Sequence, residues 1–371
     1  MIYLDNAATS FPKAPGVSAK MCEYLDRVGA SVNRGVYAAA QEAELEQLSL
    51  REKLCAFFHH PEPVRVLFTS GATAALNLAI KGRLRRGSRV LVSSMEHNAV
   101  MRPLVQLGAD FTRVPCGADG RLDLAALEQL LQDKPEMLIL NHASNVSGTV
   151  QDAQSVGELC KHFSVPFVLD AAQSAGHVPV DFEGFSLSAL AVPAHKGLLG
   201  PHGTGALWVA DGVTLAPLRQ GGTGSASESM FQPRIMPDSL ESGTLNLPGI
   251  AGLYAGMRFA LAHQQEARET TAALCGMMRD ALREMAGVRV YTRADASLLS
   301  FNVAGIASQV VASALDEQGI AVRGGLHCAP GVHRFLGTLN IGAVRVSPGL
   351  MNTAAEAGKL IDAVWKIAKA R

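Results

Sequence analysis

PFVLDAAQSAGHVPVDFEGFSLSALAVPAHK, residues 166–196, decides the fold. A proline opens the β-branched and aromatic run Phe167–Leu169, Asp170 stands at its end, and a second apolar run, LSALAVPAH (187–195), leads directly into Lys196. Two short apolar runs separated by a polar, glycine-containing segment read as buried strands of one sheet. In open α/β sheets, ligands collect beyond the carboxyl ends of strands. The spacing therefore places a carboxylate and an amine together at one edge of the sheet. Each is weak evidence alone, because a Lys after a strand is normally a solvated charge and an Asp there a cap or turn residue. The pair carries the argument.

Working outward, the same alternation recurs. VRVLFTS (64–70) precedes the helical pattern ATAALNLAIKG, RVLVSS (89–94) precedes a polar turn, and MLILNHAS (137–144) precedes VGELCKHF. This predicts an α/β fold whose large domain, residues 15–247, is built on a mainly parallel sheet. Between Arg219 and Asn246 the chain turns rich in Gly, Ser and Pro, which predicts a long functional loop. After Pro248 come two long helical patterns. Strand patterns at VRVYT, LLSFNVAG and AVRVS then alternate with helical ones, so residues 248–371 together with 1–14 are expected to form a smaller α+β domain.

Bulk properties narrow the function. The 371 residues are 48% hydrophobic and 18% charged, enough for one large core and a second smaller one. Net charge is zero and the basic residues are scattered, so neither nucleic acid nor an anionic membrane surface is an expected partner, and a small molecule is. The greasiest stretch, Leu253 to Ala262, is broken by Arg258, and the opening MIYLDNAATS lacks the pattern of a signal peptide. A cytoplasmic location is expected. Six scattered cysteines show no metal-ligand spacing, so reduced thiols and no metal are expected.

The carboxylate and amine suit a pyridine aldehyde. A carboxylate at the ring nitrogen keeps it protonated as an electron sink, and the amine links to the aldehyde. A phosphate would find a cradle at Ser70-Gly71-Ala72-Thr73, between a strand and a helix, where backbone N–H groups and the positive end of the helix dipole converge. His97 follows RVLVSSME and can stack on a flat ring.

With these residues in view, the chain resembles the class V aminotransferase-like enzymes of PLP-dependent fold type I, within them the cysteine desulfurase and selenocysteine lyase family. The resemblance runs in order through YLDNAAT (3–9), SGAT (70–73), EHN (96–98), SNVSGT (144–149), DAAQ (170–173), AHK (194–196), ESGT (241–244), HCA (327–329) and VRVS (344–347). It implies pyridoxal 5'-phosphate held by Lys196 as a Schiff base, with Asp170 at the ring nitrogen, His97 on the ring and Gln173 at the ring hydroxyl. Ala72, Thr73 and His195 would meet the phosphate, and Thr244 would reach the partner's phosphate, which implies a homodimer. Arg345, with Asn145 and Asn33 nearby, would take the carboxylate of a sulfur or selenium amino acid.

Cys328 lies in VRGGLHCAPG, where Gly324, Gly325, Pro330 and Gly331 mark a tight loop that should expose its thiol. His327 and Arg323 are expected to favour the thiolate, the form that attacks sulfur. The short HCA loop resembles the family's second group, in which this cysteine forms the persulfide. The implied reaction is conversion of L-cysteine to L-alanine with sulfur on Cys328, destined for an acceptor protein or a reductant; Lys196, Cys328 and His97 are the expected catalytic residues. Three departures from the family pattern bear on cofactor and substrate binding: Pro193 replaces a hydroxyl residue that would contact the phosphate, Asn33 a histidine near the substrate, and Leu326 the first His of HHCA. Selenocysteine lyase, another C–S lyase, an aminotransferase and a non-catalytic scaffold stay open at this stage.

Overall fold

The computed structural model describes residues 1–30, 32, 35–292 and 296–370; Asn33 lies outside them. Strand β1 (Ile2–Tyr3) and helices α1 (Val17–Glu23) and α2 (Ala38–Phe58) precede the central sheet. Then β2 (Val66–Thr69), α3 (Ala72–Arg83), β3 (Arg89–Ser93), α4 (Asn98–Leu107), β4 (Asp110–Val114), α5 (Leu124–Leu131), β5 (Met137–Asn141), α6 (Ala153–Phe163) and β6 (Phe167–Asp170) alternate. β7 (Ala189–Pro193) and β8 (Gly205–Val209) complete a seven-stranded sheet of order β2-β8-β7-β6-β5-β3-β4. All neighbours from β7 to β4 pair in parallel, while β8 runs antiparallel to β7 and β2.

The strands read as unbroken apolar runs because both faces are covered. Leu138, Leu140, Leu169 and Trp208 pack with Leu54, Phe58, Val156 and Leu253 on one face. Their neighbours in sequence, Ile139, Val168 and Leu207, pack with Leu76, Ile80 and Leu104 on the other.

Beyond the long segment 210–246 come α7 (Leu247–Ala262), α8 (Gln264–Arg283), β9 (Val288–Val290), β10 (Leu299–Val303), α9 (Ser308–Asp316), β11 (Ile320–Ala321), β12 (Arg323–Gly325), α10 (Pro330–Phe335), β13 (Ala343–Val346) and α11 (Ala354–Lys369). Their antiparallel sheet has the order β12-β13-β10-β9, and β1 pairs with β11, bringing the N-terminus into this part of the molecule. α7 buries Leu247, Ile250, Leu253 and Met257 in the first core, whereas α8 buries Leu274, Met278 and Leu282 in the second, together with Leu4. We propose that the domains part between these helices, at His263, rather than at the expected 247/248. A small cluster of Met95, Val146, Ala329 and Val332 joins α10 to the loops of the large sheet. No helix among the described residues is long and apolar enough to cross a membrane.

Candidate active site

At the carboxyl ends of the parallel strands the chain encloses a cavity of about 190 Å³. β2 delivers Ser70 and Gly71 to its wall, and α3 begins there with Ala72 and Thr73. Gly71 has φ 142°, a conformation that disfavours any side chain. A Cβ on Gly205 of the adjacent β8 would lie 2.7 Å from Gly71 Cα, so this close backbone approach requires glycine. No side chain caps α3, and its first internal donors are Ala74 and Ala75, bonded to Gly71 O. The amides of Ala72 and Thr73 are thus left for a ligand, at the positive end of a twelve-residue helix.

β6 ends on Asp170, 2% exposed, whose Oδ1 accepts from Ala172 N at 2.9 Å. Burial raises its pKa, opposed by that N–H and by the charge of Lys196. Lys196, just beyond β7, is lowered to about 8 by burial; Asp170 pulls it back up, while Arg345 and Arg323 add to the depression.

His97 caps α4, its Nδ1 accepting from Ala99 N at 3.0 Å. A neutral ring so held carries its proton on Nε2. Neutral it is, because burial, followed by repulsion from Lys196 and Arg323, lowers it to about 4. Gln173 lines the cavity and donates through Nε2 to Ala7 O at 2.9 Å. His195, also on the wall, has a buried Nδ1 with no hydrogen-bond partner; burial, helped by Lys196, lowers it to about 4. Asn145 bridges the cavity and the cysteine loop: Nδ2 donates to His327 O at 2.7 Å, and the buried Oδ1 has no partner.

Cys328 is exposed, as its loop predicts. His327 and Cys328 take φ of 49° and 57°, left-handed values uncommon for residues with side chains. Their carbonyls are tied down, His327 O by Asn145 and Cys328 O by Asn98 N at 2.8 Å. The expected help from His327 is corrected by the structure. Its buried ring bonds Ala343 O through Nε2 at 3.0 Å, and burial with repulsion from Arg345 lowers it to about 3. It is neutral and bound elsewhere, so only Arg323 of the expected pair brings a cation to this loop.

Arg345 is already engaged within the chain. It is 1% exposed, with Nη2 on Asp5 Oδ1 at 2.6 Å, Nη1 on Asn145 O at 3.2 Å, and a buried Nε without a partner. The fork expected to grip a carboxylate already holds one. Thr244 is exposed and does not join the cavity wall of its own chain.

Sequence reasoning gave no role to Asn141, Glu96 or Asp5. Asn141 lines the cavity as the polar end of the MLILN run. Glu96 Oε1 accepts from Ser93 Oγ at 2.6 Å and Asn141 N at 3.0 Å; burial, then Asp170, raises it to about 8, so it is neutral at pH 7. Each carried a usable signal: a polar residue at a strand end for Asn141, and membership of the EHN and YLDNAAT motifs for Glu96 and Asp5.

The donor set fits pyridoxal phosphate. A buried carboxylate, a depressed amine, a neutral imidazole and an uncapped helix start surround one small cavity, where the unpartnered His195 Nδ1 and Asn145 Oδ1 await a polar ligand. Comparison with known proteins agrees. The sequence pattern of the family Aminotransferase class-V matches residues 2–360. The cysteine desulfurase CsdA of Escherichia coli is 30% identical over 98% of this chain and 93% of its own. The apo structure of a cysteine desulfurase from Thermococcus onnurineus superposes with a TM-score of 0.92 at 29% identity, covering 100% of this chain and 95% of that one. The crystal structure of E. coli CsdA superposes at 0.89 with 28% identity, covering 99% and 94%. The chain belongs to the class-V aminotransferase family, among its cysteine desulfurases, whose members are pyridoxal-phosphate enzymes.

Proposed function

We propose that this enzyme converts L-cysteine to L-alanine and keeps the sulfur as a persulfide on Cys328. The observation that carries the reading is Asn145, which lines the Lys196–Asp170 cavity and at the same time holds the Cys328 loop through His327 O. One side chain ties the cofactor pocket to an exposed thiol.

Lys196 would hold the cofactor, Asp170 its ring nitrogen, His97 its ring face and Gln173 its ring hydroxyl. The amides of Ala72 and Thr73, the Thr73 hydroxyl and the neutral His195 would hold its phosphate. Pyridoxal phosphate, when bound, supplies the electron sink that acidifies the substrate Cα–H and loosens the Cβ–S bond. Lys196, lowered to about 8, suits a group that takes a proton near neutral pH. The Cys328 thiolate attacks the substrate sulfur; a new S–S bond forms, the Cβ–S bond breaks, and the electron pair stays with the carbon fragment. That fragment takes up a proton and leaves as alanine. The Nε2–H of His97 is the donor we assign to it. Arg345 receives the substrate carboxylate, a role supported by its electrostatic reach to both Lys196 and His97.

A homodimer completes the site in this reading. Thr244 is exposed in the same long loop as Met230, Phe231 and Ile235, which are 100%, 86% and 79% exposed, an apolar surface that a second copy would cover. Six free cysteines favour a reducing compartment, the cytoplasm, where an acceptor protein or a thiol reductant takes the sulfur. The test is incubation of the yellow protein with a panel of sulfur and selenium amino acids, with products identified by mass. Alanine and one added sulfur per chain are expected from L-cysteine. A keto acid with aminated cofactor would overturn the proposal.

A further inference from the structure

We propose that Asp5 is an internal competitor for the substrate's α-carboxylate, occupying Arg345 in the resting protein and setting how tightly an amino acid binds. The inference rests on the reading of Arg345 as the carboxylate-binding residue.

Arg345 lies on β13 directly opposite Arg323 of β12, so a buried guanidinium stands beside a like charge. Left uncompensated, such a charge is costly. Asp5 supplies the compensation at 2.6 Å, and its position is fixed by the backbone. Asp5 bridges to Ser347 one residue beyond β13, with Asn6 N on Ser347 O at 3.1 Å and Ser347 N on Leu4 O at 2.7 Å. The backbone of Asp5 therefore stays beside the arginine, and only a turn of its side chain releases the pair. That side chain is nevertheless 19% exposed, against 1% for Arg345, so solvent reaches the pair through Asp5. With Nη2 on Asp5 and Nη1 on Asn145 O, a carboxylate arriving at the unpartnered Nε and the second N–H of Nη2 meets the like charge of Asp5 on the same nitrogen, and binds fully only once Asp5 lets go. A ligand that binds only the released form has its affinity reduced by the fraction released. Asp5 thus lowers affinity for every carboxylate at this position, and tightens discrimination toward substrates with enough other contacts to displace it.

The test uses PLP-loaded protein. Asp5→Asn keeps the shape and removes the charge. Its KM for L-cysteine is expected to fall roughly five- to tenfold, within the usual range of coupling between two ligands. L-alanine should raise its melting temperature more than that of the wild type, because the uncompensated arginine now gains a partner, whereas ethylamine, which lacks the carboxylate, should not. A purely structural role for Asp5 predicts the reverse, a raised KM and no added response to alanine, and either result overturns the proposal. Arg345→Ala separates the two layers. If it leaves KM for cysteine unchanged, the carboxylate binds elsewhere and the underlying reading fails. If it raises KM while Asp5→Asn does not lower it, only the competitor role fails. Should Asp5→Asn fold poorly, Asp5→Asn with Arg345→Gln is the second variant. Competition predicts that stability returns and the alanine response disappears; continued instability of the double variant would overturn it.

Discussion

Cys328 is the residue on which the sulfur chemistry turns. It is held in a left-handed conformation between two anchored carbonyls, with its thiol exposed. Serine fits the same backbone but cannot form a persulfide, because a persulfide is an S–S bond and serine offers only oxygen. Cys328→Ser should keep the cofactor and the fold, lose alanine formation from cysteine, and show no added sulfur by intact mass. Desulfuration at the wild-type rate by this variant would replace the persulfide route with general C–S lysis. Lys196 carries a separate expectation. Borohydride reduction of the yellow protein should fix the cofactor on a peptide containing Lys196, and Lys196→Ala should abolish both the labelling and turnover. A label on any other lysine would sink that assignment.

Among the elements, the loop between β8 and α7 is the one whose form follows least from its own residues. Its far end is pinned by Glu241, which accepts from Phe68 N of β2 and pairs with the buried Arg51 at 2.6 Å, while Phe231 and Ile235 remain exposed. A second copy seated on those side chains would bring Thr244 to a neighbouring phosphate. Phe231→Asp should therefore shift the protein toward monomer in sedimentation and loosen the cofactor; a monomer that retains pyridoxal phosphate and full activity would contradict the composite site. The sequence made the strands legible because β5, β6 and β7 are buried on both faces and so read as apolar runs, with Asn141, Asp170 and the residues before Lys196 at their ends. What it hid is long-range. Arg345 and Asp5 meet across 340 positions, and nothing in AVRVS says that its arginine is already paired. The neutral state of His327 was equally hidden, since it follows from burial against Ala343 and not from the HCA motif.

Taken over the whole molecule, burial at and around the site gives several groups a folded protonation different from that of the open chain, and this gives stability a pH dependence of defined sign. Burial lowers His97, His142, His195 and His333 to about 4 and His327 to about 3, against 6.5 for a free histidine. Between those values the unfolded chain binds protons that the folded one refuses, so stability is lost as pH falls from about 6.5 toward 4. Glu96 acts in the opposite sense. Raised to about 8 from 4.5, it stays protonated in the fold while the open chain ionises, so its contribution declines as pH rises through that window. Each fully titrating group is worth about 1.4 kcal/mol per pH unit. Burial also lowers His60 and His177 and raises Asp170 and Glu241, so in the acid range seven histidines oppose three carboxylates, and the histidines outnumber them. Above pH 6.5 the histidines are neutral in both states, and the Glu96 slope remains until Lys13 and Lys196, both lowered to about 8, begin to offset it. The apoprotein should therefore be most stable near pH 6.5, with a steep acid limb and a shallow alkaline one. Glu96→Gln, which cannot ionise, should remove the decline above pH 6.5 and leave the acid limb in place, with Lys13 and Lys196 tilting its curve upward toward pH 8. Melting temperatures at half-unit steps from pH 4.5 to 8 on both proteins check this. A wild-type curve that is flat below pH 6.5 would mean that these histidines are protonated in the fold, and the neutral Nε2–H assigned to His97 would have to be abandoned with them.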